Sequence, residues 1–173
     1  ISHLYTSPIL KARPGSTHGY DVVDPGCVNP ELGGEDGLRA LVATLRAHGM
    51  GLVVDIVPNH MAVGAGNPYW LDVLEWGRAS RYAEFFDIDW DIADLALHGR
   101  LLAPFLGAPY GEVLDAGELR LAFDAGAGRF ACAYFDQRFP IAAATVPALL
   151  RLGGEALAGA ARDLRAALAG RDK

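Results

Sequence analysis

The sequence has little cysteine, no excess of positive charge and no long hydrophobic run, and each shortage excludes a class of protein. Its only cysteines are Cys27 and Cys132, which are expected to be free thiols in a reducing cytoplasm rather than a disulfide framework. A net charge of -6 gives no basic footprint for nucleic acid. Apolar runs as short as Leu52–Val54 cannot cross a bilayer. We therefore expect a cytoplasmic protein with neither nucleic-acid nor membrane partners.

Motifs for the common cofactors are missing as well. The spacings typical of zinc sites, phosphate-binding loops and dinucleotide fingerprints do not occur. Asn59 offers an oxygen that calcium accepts, but no dense group of carboxylates accompanies it. We expect no metal and no cofactor. The chain begins at Ile1, in a strand-like run without a preceding leader, so we also expect it to be a fragment of a longer chain.

The first 60 residues have the strand, helix, strand order of a parallel βαβ unit. Short apolar runs bounded by proline predict strands at about 2–7 and 51–57. Apolar residues at helical spacing predict a helix over about 35–48. These residues are Leu38, Leu41, Val42 and Leu45. A stretch rich in glycine and proline, from 8 to about 34, is expected to be a long loop, and loops of that length are often functional.

Polar and aromatic side chains cluster where the two strands are expected to end. His18–Asp21 lies in the loop after the first strand, and Asn59-His60 follows the second. Because the carboxyl ends of parallel strands meet on one face, both groups are expected to line one site. Asp55 interrupts an apolar run, where a carboxylate needs a partner. It is a structural anchor, a metal ligand or a site residue, and an arginine on a neighbouring strand is the structural alternative.

From residue 61 to 144 the α/β rhythm disappears and aromatic residues are dense. Two alternating segments, 119–123 and 130–134, joined by the flexible linker 125–128, predict a β-hairpin. We interpret the stretch as a small mixed excursion inserted after the second strand. From 145 to 173 the composition is rich in alanine and leucine, which predicts helix. Its apolar face comprises Leu157, Ala161, Leu164 and Leu168.

The hexapeptide 55–60, Asp-Ile-Val-Pro-Asn-His, resembles the first signature region of the α-amylase superfamily, glycoside hydrolase family 13. The resemblance implies an α/β fold, a partial (β/α)8 TIM barrel in residues 1–60. The two predicted strands would be about strands 2 and 3 of that barrel, with the helix between them. Residues 61–144 would then be a domain B-like insertion after the third strand, and 145–173 the start of the third barrel helix region.

The same resemblance implies roles for individual side chains. His60 would contact the sugar in the subsite where the bond is cleaved, and Tyr20 would stack on that ring. The implied substrate-binding residues are Tyr20, His60, Asn59 and His18, and the implied supporting residues are Asp55 and Asp21. The plainer alternatives are a satisfied loop histidine and an aromatic residue that closes an edge of the core.

Longer strings resemble one branch of that superfamily, the maltooligosyl trehalose synthases. They are Ala12–Pro25, Pro30–Gly34, Gly77–Tyr82, Phe86–Trp90 and Pro109–Leu114. This branch converts the reducing-end α-1,4 bond of a maltooligosaccharide into an α,α-1,1 bond, an intramolecular transglycosylation in trehalose biosynthesis. The resemblance therefore implies a maltooligosaccharide substrate. Arg78 and Arg81 are candidates for lining its pocket, with a solvated or salt-bridged role equally open.

The chain shows no recognisable motif for the two catalytic carboxylates that a retaining enzyme needs. The resemblance places them on later strands, so we expect no catalytic residue within these 173 residues and no activity from them alone. Two alternatives stay open. The chain is a fragment of another α-amylase-family glycoside hydrolase, or it is a non-catalytic carbohydrate-binding remnant.

Overall fold

The computed structural model describes residues 1–124 and 128–155, together with Gly159, Arg162, Leu164 and Ala166. The chain divides into two compact units, Ile1–Pro68 and Tyr69–Lys173. Residues 125–127 of the predicted linker lie outside the described residues. So do three of the apolar positions predicted for the last helix, which are Leu157, Ala161 and Leu168.

The first unit contains the predicted pair of parallel strands. Strand β1 is His3–Thr6 and strand β4 is Gly51–Val54, and they pair in parallel with Tyr5 opposite Val53. The backbone N–H of Asp55 donates to the carbonyl of Thr6 at 3.0 Å, which extends the ladder one residue past β4. The prediction of a parallel pair is confirmed, although the second strand ends three residues earlier than expected.

Helix α1, Gly34–Ala47, separates the two strands in sequence, as predicted. Its predicted apolar face is its least exposed side: Leu45 is buried and Leu38, Leu41 and Val42 are half-buried. Glu35 and Asp36 occupy the first turn, where the helix dipole favours negative charge. After the helix, Gly49 adopts a φ of 66°, the left-handed conformation common at helix ends. The helix thus follows from local sequence signals.

The stretch from 8 to 34 is not the uniform loop that its glycines and prolines suggested. It contains strands β2, Leu10–Ala12, and β3, Val22–Val28, which pair in an antiparallel and irregular register. Val22 and Val23 are each 2% exposed, so this pair forms the core of the first unit. Pro25 and Gly26 interrupt the apolar run, which masked the strand in the sequence; proline is tolerated at irregular points of a sheet.

The second unit mixes short helices with a three-stranded antiparallel sheet. Its helices are α2, Pro68–Trp76; α3, Tyr110–Asp115; and α4, Val146–Leu152. Its strands are β5, Leu119–Asp124; β6, Arg129–Tyr134; and β7, Gln137–Pro140, in the order β5-β6-β7. Short 3₁₀ turns lie at Gly77–Ala79, Ala83–Phe85 and Ala143–Thr145. Together with the first unit, these elements give the chain a mixed content of helices and strands.

The predicted hairpin is confirmed, and the structure gives its residue pairs. Leu119 faces Tyr134, Leu121 faces Cys132 and Phe123 faces Phe130 across β5 and β6, which are the positions whose alternation indicated two strands. Such cross-strand pairs stabilise a hairpin by packing on one face. The aromatic residues of the 61–86 region also pack together. Tyr69, Tyr82 and Phe85 contact one another with ring centroids 4.8–5.4 Å apart, and Trp70 lies 5.2 Å from Phe86.

Cys27 and Cys132 are both free thiols, as expected. Burial raises the pKa of the Cys132 thiol, which keeps it protonated. Among the described residues, no helix is long and apolar enough to span a membrane.

Candidate functional site

Three chain segments converge beside the carboxyl end of the β1–β4 pair. Tyr5 comes from β1, Tyr20 from the loop between β2 and β3, and Asp55 from the residue directly after β4. The parallel register brings the ends of β1 and β4 level, with Thr6 opposite Val54. Residues far apart in sequence therefore meet at one edge, as the order of strands predicted.

Asp55 is held by two tyrosines. Its Oδ2 accepts hydrogen bonds from the hydroxyl of Tyr20 at 2.6 Å and from the hydroxyl of Tyr5 at 2.7 Å. These two bonds, with Tyr20 the stronger influence, lower the pKa of the Asp55 carboxyl. Conversely, the bonds to Asp55 raise the pKa of both phenols, so the carboxylate stays charged and the tyrosines stay neutral. Among the described residues, the partners of Asp55 are these two tyrosines and not an arginine.

His60 is tied to the same loop as Tyr20. Its Nε2 lies 3.1 Å from the backbone carbonyl oxygen of Tyr20, and because a carbonyl only accepts, the ring donates there. The Nδ1 of His60 lies 3.1 Å from the Oδ1 of Asn59. Asn59 and His60 are both exposed. The structure thus brings the predicted histidine, asparagine and tyrosine together in one exposed group.

His18 and Asp21 stiffen the Tyr20 loop. The Nδ1 of His18 accepts from the backbone N–H of Tyr20 at 3.0 Å, and the two rings stack with centroids 5.9 Å apart. Asp21 accepts from the hydroxyl of Ser16, and its Oδ1 lies 3.8 Å from His18. Burial opposes ionisation of Asp21, but the hydrogen bond from Ser16, a backbone hydrogen bond and electrostatic interactions with His18 and Arg13 together lower its pKa.

Tyr5 is a site residue that the sequence reasoning missed. It lies within β1 and not in the loop after it, so the search for polar groups past strand ends passed over it. The available signal was its position near the end of a strand predicted to pair with the strand that contains Asp55. Only the register, with Tyr5 opposite Val53, places its hydroxyl within reach of that carboxylate.

The two candidate arginines belong to the second unit. Arg78 donates to Asp91 at 2.6 Å, and the guanidinium of Arg81 lies 4.6 Å from the ring centroid of Tyr82. Arg78 therefore forms a salt bridge, and its place in a sugar pocket of the complete enzyme stays a prediction.

Tyr5, Tyr20, Asp55, Asn59 and His60, together called the Tyr20 group, offer side chains that can bind and orient a ligand. A phenol ring and an imidazole can contact a sugar by its apolar face and its hydroxyls. The one central carboxylate already accepts two phenol hydrogen bonds, which suits a supporting group better than a nucleophile. In the part of the chain that the structure describes, no three His, Cys, Asp or Glu side chains come together in a way that could hold a metal ion.

Comparisons with known proteins agree on one family. Residues 1–94 match the family described as alpha amylase, catalytic domain. A protein of Mycobacterium tuberculosis (strain CDC 1551 / Oshkosh) assigned as a maltooligosyl trehalose synthase is 53% identical over 138 residues, which cover 74% of this chain. An intracellular maltogenic amylase of Bacillus subtilis (strain 168) is 36% identical over 88 residues, or 51% of this chain and 14% of the amylase.

A solved structure extends the likeness to the fold. The maltooligosyltrehalose synthase from Arthrobacter ramosus superposes with a TM-score of 0.70 at 43% identity, covering 82% of this chain and 17% of that one. The likeness is thus to one part of a much longer molecule: the chain spans 18% of the length of the mycobacterial relative.

Proposed function

Because the chain belongs to the α-amylase family, on the match of residues 1–94 to its catalytic domain, we propose that it is part of a maltooligosyl trehalose synthase. That enzyme is an intramolecular transglycosylase, which converts the reducing-end α-1,4 bond of a maltooligosaccharide into an α,α-1,1 bond. The observation that carries the proposal is the Tyr20–Asp55–His60 group at the carboxyl end of two parallel strands.

In this proposal, β1 and β4 are about the second and third strands of a (β/α)8 barrel, joined through α1. Their parallel pairing and the connecting helix support it, because this is the repeating unit of such barrels. Residues 61–144 are a domain B-like insertion after the third strand, and 145–173 begin the third barrel helix region. The partial barrel spans residues 1–60.

The Tyr20 ring and the His60 imidazole form one wall of the sugar subsite where the bond is cleaved. Tyr20 offers an aromatic face to the apolar C–H surface of the ring, and His60 hydrogen-bonds a hydroxyl. Asn59 and His18 complete this wall, while Asp55 and Asp21 hold it in place. Neither wall residue transfers a proton to the scissile oxygen. They position the ring and favour its flattening towards the oxocarbenium-like transition state.

The groups that break the glycosidic bond are not part of this wall. A retaining mechanism needs two carboxyl groups about 5 Å apart, and we assign them to residues outside these 173. The assignment fits a chain that spans 18% of the length of the mycobacterial relative. The 173 residues alone are accordingly inactive. The free thiols of Cys27 and Cys132 suit the cytoplasm, where we place the enzyme.

Another α-amylase-family hydrolase is the second candidate, since a maltogenic amylase is 36% identical over 88 residues. The trehalose synthase match is both closer and longer, at 53% over 138 residues. The extra length takes the likeness beyond the segment shared with the amylase, and this favours the synthase.

Product analysis of the full-length protein tests the proposal. Incubated with maltopentaose, it should lower the reducing-end signal while the number of glucose units per molecule stays five. An anomeric proton signal from an α,α-1,1 bond should appear. Release of shorter reducing sugars as the main product would contradict the proposal and support a hydrolase.

A further inference from the structure

The second unit contains a cleft that the Tyr20 group does not use. Its volume is about 790 Å³, within the roughly 300–1,000 Å³ of small-molecule sites. Two indole side chains, Trp76 and Trp90, line it together with Glu75, Arg78 and Arg100. Every residue that lines it belongs to the second unit.

The aromatic side chains of the cleft are partly exposed, and a backbone hydrogen bond joins two segments that line it. Trp76 is the last residue of α2, and its side chain is half-buried. Trp90 is also half-buried, and its carbonyl accepts from the backbone N–H of Gly99 at 2.9 Å. Gly99 lines the cleft as well, so this bond fixes one wall against another. Half-exposed indoles with few rotatable bonds can stack on a ligand at a modest cost in conformational entropy.

Charged groups around the cleft are partly neutralised by one another. Arg78 donates to Asp91, next in sequence to Trp90, at 2.6 Å. Glu75 accepts from Arg129 at 3.0 Å. The remaining donors and acceptors of both pairs can bind hydroxyls. An uncharged ligand rich in hydroxyls fits this arrangement, because Glu75 and Arg78, two of the charged groups that line the cleft, already have partners of opposite charge.

We propose that the cleft is a second carbohydrate site that binds an α-1,4-linked glucan chain. The indoles supply stacking faces for the apolar sides of sugar rings, and Glu75, Arg78 and Arg100 supply hydrogen-bonding groups of both kinds. The choice of an α-glucan rests on the proposed function, whereas the sugar-binding chemistry rests on the cleft itself. The site would hold part of a long glucan chain and increase its residence on the enzyme.

Affinity electrophoresis of the full-length protein tests the site, with native gels that contain soluble amylose. All variants are made in a His60→Ala background, which weakens the contribution of the proposed active site. Trp90→Ala should weaken amylose binding about tenfold, the size expected for a lost stacking face and its buried area. Arg100→Gln changes an exposed side chain and should weaken binding about threefold. This second variant keeps the test decisive if Trp90→Ala fails to fold.

The matched control is Tyr110→Ala, which removes an aromatic side chain that is 63% exposed and lies outside the cleft. It should bind amylose like its parent. Free maltoheptaose should restore the mobility of the parent, whereas the β-linked cellohexaose should not. Unchanged binding in both Trp90→Ala and Arg100→Gln would overturn the inference, and so would displacement by inorganic phosphate but not by maltoheptaose.

The amylose-binding test of the cleft and the product test of the proposed function can fail independently. If the full-length protein makes no α,α-1,1 product but its binding to amylose still depends on Trp90, the proposed function fails and the carbohydrate site stands. If the product forms and the two cleft variants bind amylose normally, the reverse holds.

Discussion

At the scale of single residues, the site depends on one carboxylate oxygen. Oδ2 of Asp55 accepts from two phenols, and hydrogen bonds to an ionised acceptor are stronger than those between neutral groups. Tyr5 is the fixed partner, since it lies within a paired strand. Tyr20 is the partner that faces the proposed sugar subsite. Asp55 thus transmits the position of β1 to the Tyr20 ring.

Replacing Tyr5 by Phe should therefore lower kcat of the full-length enzyme. Tyr5 acts through Asp55 and makes no contact with the substrate in the proposed subsite. Removing this hydrogen bond leaves the carboxylate, and through it the Tyr20 ring, less firmly oriented, so we expect kcat to fall about threefold to tenfold. KM should change less, because the loss concerns orientation of the ring in the transition state. Steady-state kinetics on maltopentaose measure both. Tyr110→Phe, a change at an exposed tyrosine elsewhere, is the control, and equal kinetics for the two variants would remove Tyr5 from the site.

The lowered pKa of Asp55 predicts how stability depends on pH. A carboxyl whose pKa is lower in the folded state stabilises the fold fully above its unfolded value of about 3.9, and loses that contribution as pH falls through the lowered value. The difference in Tm between the wild type and Asp55→Asn should therefore be constant above about pH 5 and shrink below pH 4. Thermal unfolding between pH 7 and pH 3 measures it.

The Tyr5→Phe/Tyr20→Phe double variant is the companion measurement. It removes the two hydrogen bonds that lower the pKa of Asp55, so its Tm should depend on pH in the same way as that of Asp55→Asn. A wild-type pH dependence in the double variant would show that the tyrosines do not act on Asp55.

At the scale of elements, the loop between β2 and β3 decides where Tyr20 lies. Gly19 precedes Tyr20 and adopts a φ of 82°. A Cβ at Gly19 would clash with the carbonyl oxygen of Pro8, which belongs to the backbone and cannot move aside without cost. Gly15 in the same loop has a φ of 75°, but a Cβ at that position would meet no atom within 4 Å. Substitution of Gly15 therefore adds only backbone strain, whereas substitution of Gly19 adds the same strain and a steric clash.

We expect Gly19→Ala to destabilise the protein by on the order of 3 kcal/mol, since it adds a backbone clash to the cost of a left-handed residue. Gly15→Ala should cost only about 1 kcal/mol, the conformational part alone. Denaturant unfolding compares them. Activity should also fall more in Gly19→Ala, because the clash displaces the residue before Tyr20. Equal stabilities would mean that the Pro8 contact relaxes without cost.

Elements with a regular period were predictable, whereas irregular ones were not. The face of α1 and the β5–β6 pairs follow from spacing within short windows, so the sequence indicated both correctly. Strand β3 was hidden because Pro25-Gly26 breaks its run, and its pairing with β2 has register shifts that no local pattern encodes. Tyr5 was hidden for a related reason, since its contact with Asp55 spans 50 residues. Contacts that depend only on the register of two paired strands can be identified from the structure but not from the sequence.

At the scale of the whole molecule, the first unit carries apolar side chains that a parallel sheet normally covers. Tyr5 and Ile56 are each 64% exposed, and Val53 is 45% exposed. Parallel sheets are ordinarily covered on both faces, so this exposure supports the proposal that β1 and β4 are two strands of a larger barrel. A larger barrel also explains a sugar-binding wall whose bond-breaking groups we assign elsewhere.

The kinetics of His60→Ala in the full-length enzyme with maltopentaose provide the sharpest test of the proposed sugar subsite. We predict a loss on the order of 10²-fold in kcat/KM, as expected for a misplaced substrate, with most of it in kcat. Tyr20→Ala should lose a similar amount and Tyr20→Phe much less, because the stacking face survives. A near-wild-type kcat in His60→Ala would contradict the proposal, since His60 would then be a loop-packing residue and the sugar subsite would lie elsewhere.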